Sequence, residues 1–364
     1  MDRRKFLRNA SAIGTLGAAT LAAGVSPAFA GRRMEAAPGT AGGAGGMNMQ
    51  IGGELGLPMR HITPSQFSDF FAGSSAAPEG IDSTSWMKGI GGGVLVSHLS
   101  VPGSHESCAR HGGAPLASEW VVCQTLSIRE QLDCGARFLD IRCRAMGEVF
   151  TIHHDLVYQK INFGDVLDQC RDFLRIHPSE AIFMRVKQEY SSVSDGAFRE
   201  IFYKNYLDGQ KYRSMFYLGS SIPKLDDVRG KVILLGNVSG LGGIPYGGSE
   251  CVIQDKYEGL TSEEKLSSVM HHADASVNRE QGDDRIYINY LSGYKAPGLS
   301  PYSMAVGVQA KVQKFLQNNY AKFHPKPLGI MPMDFFCSDM SWQGDDYPRW
   351  NYPLICSIAL WNYA

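Results

Sequence analysis

Short β-branched and aliphatic runs that end abruptly in titratable residues constrain this chain most. The segment 97–107, S-H-L-S-V-P-G-S-H-E-S, ends in His105 and Glu106. The segment 135–155, G-A-R-F-L-D-I-R-C-R-A-M-G-E-V-F-T-I-H-H-D, carries Asp140 and Arg142 and then His153 and His154. Eight strand-like runs can be read, at 94–101, 136–141, 149–152, 181–187, 231–235, 251–254, 285–290 and 327–333. Helix-like stretches lie between them at 126–134, 163–176, 196–208, 262–279 and 304–322. In 163–176, Phe163, Val166, Leu167, Cys170, Phe173 and Leu174 recur at helical spacing, and His177-Pro178 stops the helix. Strand–helix alternation predicts a parallel sheet, and eight strands predict closure. The expected fold is therefore α/β, a TIM-type (β/α)8 barrel that is either regular or distorted and partly open. Because the carboxyl ends of parallel barrel strands share one face, His105, Arg142 and His154 are expected to converge there. Two histidines and an arginine at one mouth point to acid–base work on an anion.

The chain divides into three parts. Residues 1–30 open with D-R-R-K-F-L-R and continue through a mildly apolar Gly/Ala/Thr-rich stretch to Ala28-Phe29-Ala30, the pattern of a twin-arginine export signal. Its apolar run falls short of the roughly 20 residues that span a bilayer. Residues 31–80 are rich in Gly, Ala, Ser and Pro and are expected to form a flexible leader, with 67–71 able to dock. Residues 81–364 are expected to form one catalytic barrel. Removing the signal, with Arg3, Arg4, Lys5 and Arg8 against Asp2, moves the formal net charge from −1 to −4. Such a balance carries no basic footprint for nucleic acid. The eight cysteines show no C-x-x-C spacing, so no zinc site is read from them, and their pairing stays open.

The segments V-P-G-S-H-E-S, G-A-R-F-L-D-I-R and I-H-H, followed by R-V-K-Q-E-Y (185–190) and I-Q-D-K-Y (253–257), resemble the X-type catalytic domain of the bacterial phosphatidylinositol-specific phospholipases C. The likeness runs from about Gly92 onward. It implies a phosphodiesterase that cleaves phosphatidylinositol, or its glycosylated forms, at a membrane surface; with the twin-arginine signal, the protein is expected to be secreted or periplasmic, and a monomer. The products would be diacylglycerol and inositol 1,2-cyclic phosphate.

The resemblance assigns His105 as general base and His154 as general acid. It makes Asp334 the carboxylate that orients the base and Arg142 the clamp on the phosphate. Calcium-dependent relatives have an acidic ligand where Arg142 stands, so no metal or other cofactor is expected. Lys187 and Asp255 would hydrogen-bond the inositol hydroxyls and Tyr257 would stack on the ring, with Glu189 nearby. Two positions depart from the pattern. Glu106 replaces the aspartate that partners the general acid, and Asn237 replaces an inositol-contacting arginine. Trp120-Val121-Val122 and the loop 292–301 with Tyr294 resemble rim elements that touch the bilayer. From the residues alone other readings stay open: His153-His154 as a metal or polar cluster, Asp140-Ile141-Arg142 as a strand-end salt bridge, Asp334 as a helix cap, Trp120 as a core residue. The rival functions are a metal-dependent glycerophosphodiester phosphodiesterase and a non-catalytic barrel that binds inositol lipids.

Overall fold

Alternation along the strands sets the architecture. In the computed structural model, which describes residues 82–113, 118–191, 193–208, 211–338 and 351–363, the strands are β1 (Val101–Ser104), β2 (Phe138–Met146), β3 (Val149–His154), β4 (Val157–Asn162), β5 (Ile182–Gln188), β6 (Phe216–Tyr217), β7 (Val232–Asn237), β8 (Ile244–Pro245), β9 (Cys251–Gln254), β10 (Ile286–Asn289) and β11 (Ile330–Met333). The export signal and the leader, including 67–71, lie outside the described residues.

Eight strands form a parallel path in the order β6-β7-β5-β2-β1-β11-β10-β9, a curled, partly open barrel. Within β2, Phe138 joins the barrel interior with Phe183, Ile233, Ile288 and Ile330, while Leu139, Ile141 and Cys143 pack outward. The outward layer meets the helix Phe163–Ile176, whose apolar face is the one the periodicity predicts. Asn162 starts this helix, its backbone N–H donating to Asp165 Oδ2 at 2.9 Å. No helix among the described residues is long and apolar enough to cross a membrane.

Three expectations are corrected. The first strand is Val101–Ser104; the run before it forms a single turn at Val96–His98. Val96 and Leu99 are buried among the barrel's interior side chains, so their hydrophobicity reports a plug and not a ladder. The run 149–152 belongs to β3, which pairs antiparallel with β2 and is not a barrel stave. The β2 strand runs on to Met146, and a two-residue turn at Gly147-Glu148, with Gly147 at φ +61°, returns the chain. Finally, helix 196–208 divides into Asp195–Phe202 and a wider turn, Tyr203–Leu207. Strands β4, β6 and β8 were not anticipated.

At the amino end of the barrel, Arg137 is fully buried and spends every guanidinium N–H. It donates to Glu180 Oε2 at 2.9 Å and to the carbonyls of Leu132, Ala136, Ser83 and Thr84 at 2.8 to 3.2 Å. Glu180 also accepts from the Met87 N–H at 3.1 Å, so one pair ties the segment before β1 to β2 and β5. Removing one partner of such a pair strands a buried charge. Glu180→Ala is therefore expected to lower unfolding stability by about 3–5 kcal/mol in urea titrations; a loss under about 1 kcal/mol, the level of an exposed pair, would contradict this role.

Candidate active site

Register places the site. Ser104 is level with Leu139 on one side and Met333 on the other, so the next residues along, His105, Asp140 and Asp334, stand together at the carboxyl rim. Asp140 in turn is level with Arg185, and Arg142 with Lys187. The close approach of β1 to β2 requires Gly103, where a Cβ would fall 2.7 Å from that of Phe138. After β1 the chain turns through Glu106 at φ +41°, a left-handed conformation uncommon outside glycine. That turn aims the Glu106 N–H at Asp140 Oδ2 (3.2 Å) and the Ser107 N–H at the Asp140 carbonyl (3.0 Å).

His105 Nδ1 lies 2.7 Å from Asp334 Oδ1, and its Nε2 lies 3.1 Å from Arg142 Nη2. A guanidinium has no acceptor, so it donates to an unprotonated Nε2, and the proton of a neutral ring sits on Nδ1 against the carboxylate. His105 is thereby held in the tautomer of a base, with its lone pair at the mouth. His154 Nδ1 lies 2.6 Å from the Val121 carbonyl and 2.9 Å from Glu106 Oε2, both acceptors, so this nitrogen carries a proton. His154 reaches the mouth because the β2–β3 hairpin folds back over it. His153, its neighbour, is tilted against Tyr158, and burial and Arg144 lower its pKa.

Arg142 lies between the two histidine pairs. Its Nη1 is 2.8 Å from Glu106 Oε1 and 3.6 Å from Glu189 Oε2, and its Nη2 is 3.1 Å from Asp140 Oδ2. Burial disfavours its charge, but Asp140, Glu106 and Glu189 outweigh that and fix the guanidinium as a cation. Burial alone would raise the Asp140 pKa; Arg142 and Arg185 hold the carboxyl well below its usual range instead. Glu106, one methylene longer than the expected aspartate, still reaches both His154 and Arg142.

Other expected residues are placed differently. Lys187 donates to Glu189 at 3.0 Å, and Arg142, then burial, lowers its pKa. Asp255 follows β9 with Oδ1 buried and no hydrogen-bond partner for that atom among the described residues. Tyr257 is exposed on the rim and tilted against Tyr294 with ring centroids 6.2 Å apart. Tyr294 is itself buried and lies edge-on to the partly buried Trp120 at 6.3 Å, so it backs the rim aromatics and is not a bilayer-facing residue. Asn237 accepts from Arg185 Nε and Nη2 at 2.9 and 2.7 Å. Arg185 was not singled out from the sequence. It also reaches Tyr290 Oη (3.1 Å), faces the Tyr246 ring at 4.1 Å and stands 3.4 Å from Asp140, supplying positive charge on this side of the mouth. Only the β2–β5 register reveals it.

Fold and mouth together define a partly open α/β barrel with an acid–base site at the carboxyl ends of its strands. Residues 99–237 match the family model described as "Phosphatidylinositol-specific phospholipase C, X domain". A relative in Staphylococcus aureus (strain Newman), named 1-phosphatidylinositol phosphodiesterase, is 28% identical over 262 residues, covering 64% of this chain and 83% of its own. Its namesake in Listeria monocytogenes is 28% identical over 267 residues, covering 69% and 80%. The solved phosphatidylinositol-specific phospholipase C from Listeria monocytogenes superposes with a TM-score of 0.65 at 25% identity, over 77% of this chain and 99% of that one. Over residues 99–237 the chain is similar to the phosphatidylinositol-specific phospholipase C X domain.

The depressed Asp140 pKa fixes a pH dependence. A carboxyl ionised more readily in the folded than in the unfolded state contributes stability that is complete above the unfolded value of about 3.9 and is lost as pH falls towards the folded value. Urea midpoints measured from pH 7 to pH 3 should therefore fall more steeply below about pH 4 for the wild type than for Asp140→Asn. Parallel curves would contradict the assignment.

Proposed function

We propose that the chain is an exported, metal-independent phosphodiesterase that cleaves phosphatidylinositol, and its glycosylated forms, by intramolecular attack. The observation that carries this reading is the pairing of two histidines with separate carboxylates on either side of Arg142: His105 with Asp334 at 2.7 Å and His154 with Glu106 at 2.9 Å. In the proposed reaction, the inositol 2-hydroxyl takes the place of the guanidinium at His105 Nε2 and gives up its proton there. Its oxygen then attacks phosphorus. His154 protonates the departing diacylglycerol oxygen through Nε2, leaving inositol 1,2-cyclic phosphate. Arg142 meets the phosphate oxygens with permanent charge as the pentacoordinate state forms. Lys187, Asp255 and Tyr257 would receive the inositol ring. Trp120 and Tyr257, amphipathic and at the rim, would meet the lipid surface.

The metal-dependent phosphodiesterase reading needs acidic groups available to a cation near the phosphate. Asp140, Glu106 and Glu189 already lie against the Arg142 guanidinium, which offers the phosphate a permanent positive charge in place of a catalytic ion. A non-catalytic lipid-binding barrel has no use for two oriented imidazoles.

Initial rates on phosphatidylinositol vesicles test the reading. His105→Ala and His154→Ala should each lower kcat/KM by about 10²–10⁴-fold, or roughly 3–5.5 kcal/mol, with folding retained. Arg142→Lys keeps the charge but loses the planar fork and should fall by at least about 100-fold. Wild-type rates should be equal in chelator and in calcium. A folded histidine variant with more than about a tenth of wild-type activity, or a wild type that works only with calcium, would overturn the proposal.

Export rests on Arg3-Arg4 followed by Phe6-Leu7. With both arginines replaced by lysine, the precursor should accumulate in the cytoplasm in a fractionation assay. Undiminished export would point to another route.

A further inference from the structure

The two histidine–carboxylate pairs share a neighbour that the proposed chemistry does not use. The ligand-capable atoms of His105, Cys123 and Asp334 lie within 4.8 Å of one another, and so do those of Glu106, Cys123 and His154. All five residues are buried, and Cys123, which carries a thiol, is 1% exposed. Its position is fixed from both sides, because its N–H donates to the Ala109 carbonyl at 2.9 Å and its carbonyl accepts from the Phe335 N–H at 2.6 Å. The following residue is fixed as well. Gln124 donates to the carbonyls of His105 and Met333 and accepts from the Phe336 N–H, at 2.8 to 3.0 Å.

One sulfur, one imidazole nitrogen and one carboxylate oxygen form a donor set suited to a borderline-soft divalent ion. Tetrahedral zinc, with bonds of about 2.0–2.3 Å, holds its ligand atoms roughly 3.3–3.7 Å apart; atoms already within 4.8 Å of one another need shifts of only about 1 Å, which include a spreading of the His105–Asp334 and His154–Glu106 contacts from 2.7 and 2.9 Å. Calcium and magnesium, which take oxygen ligands, have little use for the sulfur.

We propose that Cys123 is the anchor of an inhibitory site for a thiophilic divalent cation of the zinc class. On binding, the thiol gives up its proton to solvent, and a sulfur–metal bond forms alongside bonds from the histidine and carboxylate of one pair. The captured imidazole then has no free lone pair to accept a proton, and its remaining N–H is a far weaker acid than an imidazolium. The thiol is common to both sets, so one replacement removes both. Inhibition rests on the acid–base roles proposed above, whereas cation binding does not.

The test uses the purified chain, stripped of metal by dialysis, with cobalt as the optical probe. Wild type should develop a thiolate-to-cobalt charge-transfer band that saturates at one equivalent and disappears when zinc is added. Cys123→Ser should lack the band, and Cys123→Ala provides a second variant if the serine protein fails to fold. In vesicle assays, zinc should inhibit wild type at a concentration at least about tenfold below that needed for the folded Cys123 variant, and chelator should restore activity. Absence of the band in wild type, an equal band in the Cys123 variants, or equal zinc sensitivity would each overturn the proposal. The band is read without substrate, so a protein that binds cobalt through Cys123 yet leaves phosphatidylinositol intact supports the metal site while rejecting the phospholipase reading.

Discussion

The buried contact of Arg142 with Asp140 and Glu106 organises everything at the barrel mouth. Three charged groups removed from water are tolerable only when each has its partners, because an isolated buried charge costs several kcal/mol. Meeting that requirement dictates local structure. Glu106 takes a left-handed turn, its N–H donating to Asp140, while Asp140 bridges Arg142 on its own strand and Arg185 on β5. The ends of β1, β2 and β5 are thus tied to one carboxylate. Glu106 carries the constraint further, because its two oxygens face Arg142 and His154. A guanidinium so placed is pre-oriented before any ligand arrives and needs little reorganisation to meet a phosphate.

The same arrangement makes the two imidazoles chemically unlike. His105 has a guanidinium against Nε2, so that nitrogen is an acceptor whose lone pair faces the mouth. His154 has two acceptors against Nδ1, a carboxylate and a carbonyl, so that nitrogen holds a proton. In the proposed reaction these two settings serve a base and an acid respectively. The family pattern has an aspartate at Glu106, and the added methylene does not break this logic, since the carboxylate spans both partners. At Asn237 the family's arginine is gone, yet Arg185, held by Asn237 itself, places a guanidinium on the same side of the mouth. The mouth thereby holds a cation of different origin on that side.

Much of this was legible in the chain, for physical reasons. The helix Phe163–Ile176 was bounded correctly because a 3.6-residue apolar stripe and a His-Pro stop are both local signals. That Asp140 and Arg142 share a face follows from the two-residue strand period. What failed depended on non-local facts. Val96 and Leu99 looked like strand because a plug buried in the barrel interior is as apolar as a strand. β3 carries the same short apolar run as a stave, yet the Gly147-Glu148 turn returns it antiparallel against β2. β6 and β8, two residues each, are too short to leave a periodic signal. Arg185 and the thiol of Cys123 gain meaning only through register and loop packing, which no local pattern reports. Tyr294 was expected at the surface because aromatic residues in rim loops often are, whereas here it supports its neighbours from below.

The central claim is that the substrate's own hydroxyl, activated by His105, is the nucleophile. Phosphorus-31 NMR of phosphatidylinositol vesicles turned over by the purified protein in chelator tests it directly. The account predicts that the signal of a five-membered cyclic phosphodiester appears first, with any inositol monophosphate following only as the cyclic product is slowly hydrolysed, and that phosphatidylcholine vesicles stay unchanged. Inositol monophosphate formed from the first turnover with no cyclic precursor, or equal cleavage of phosphatidylcholine, would contradict it.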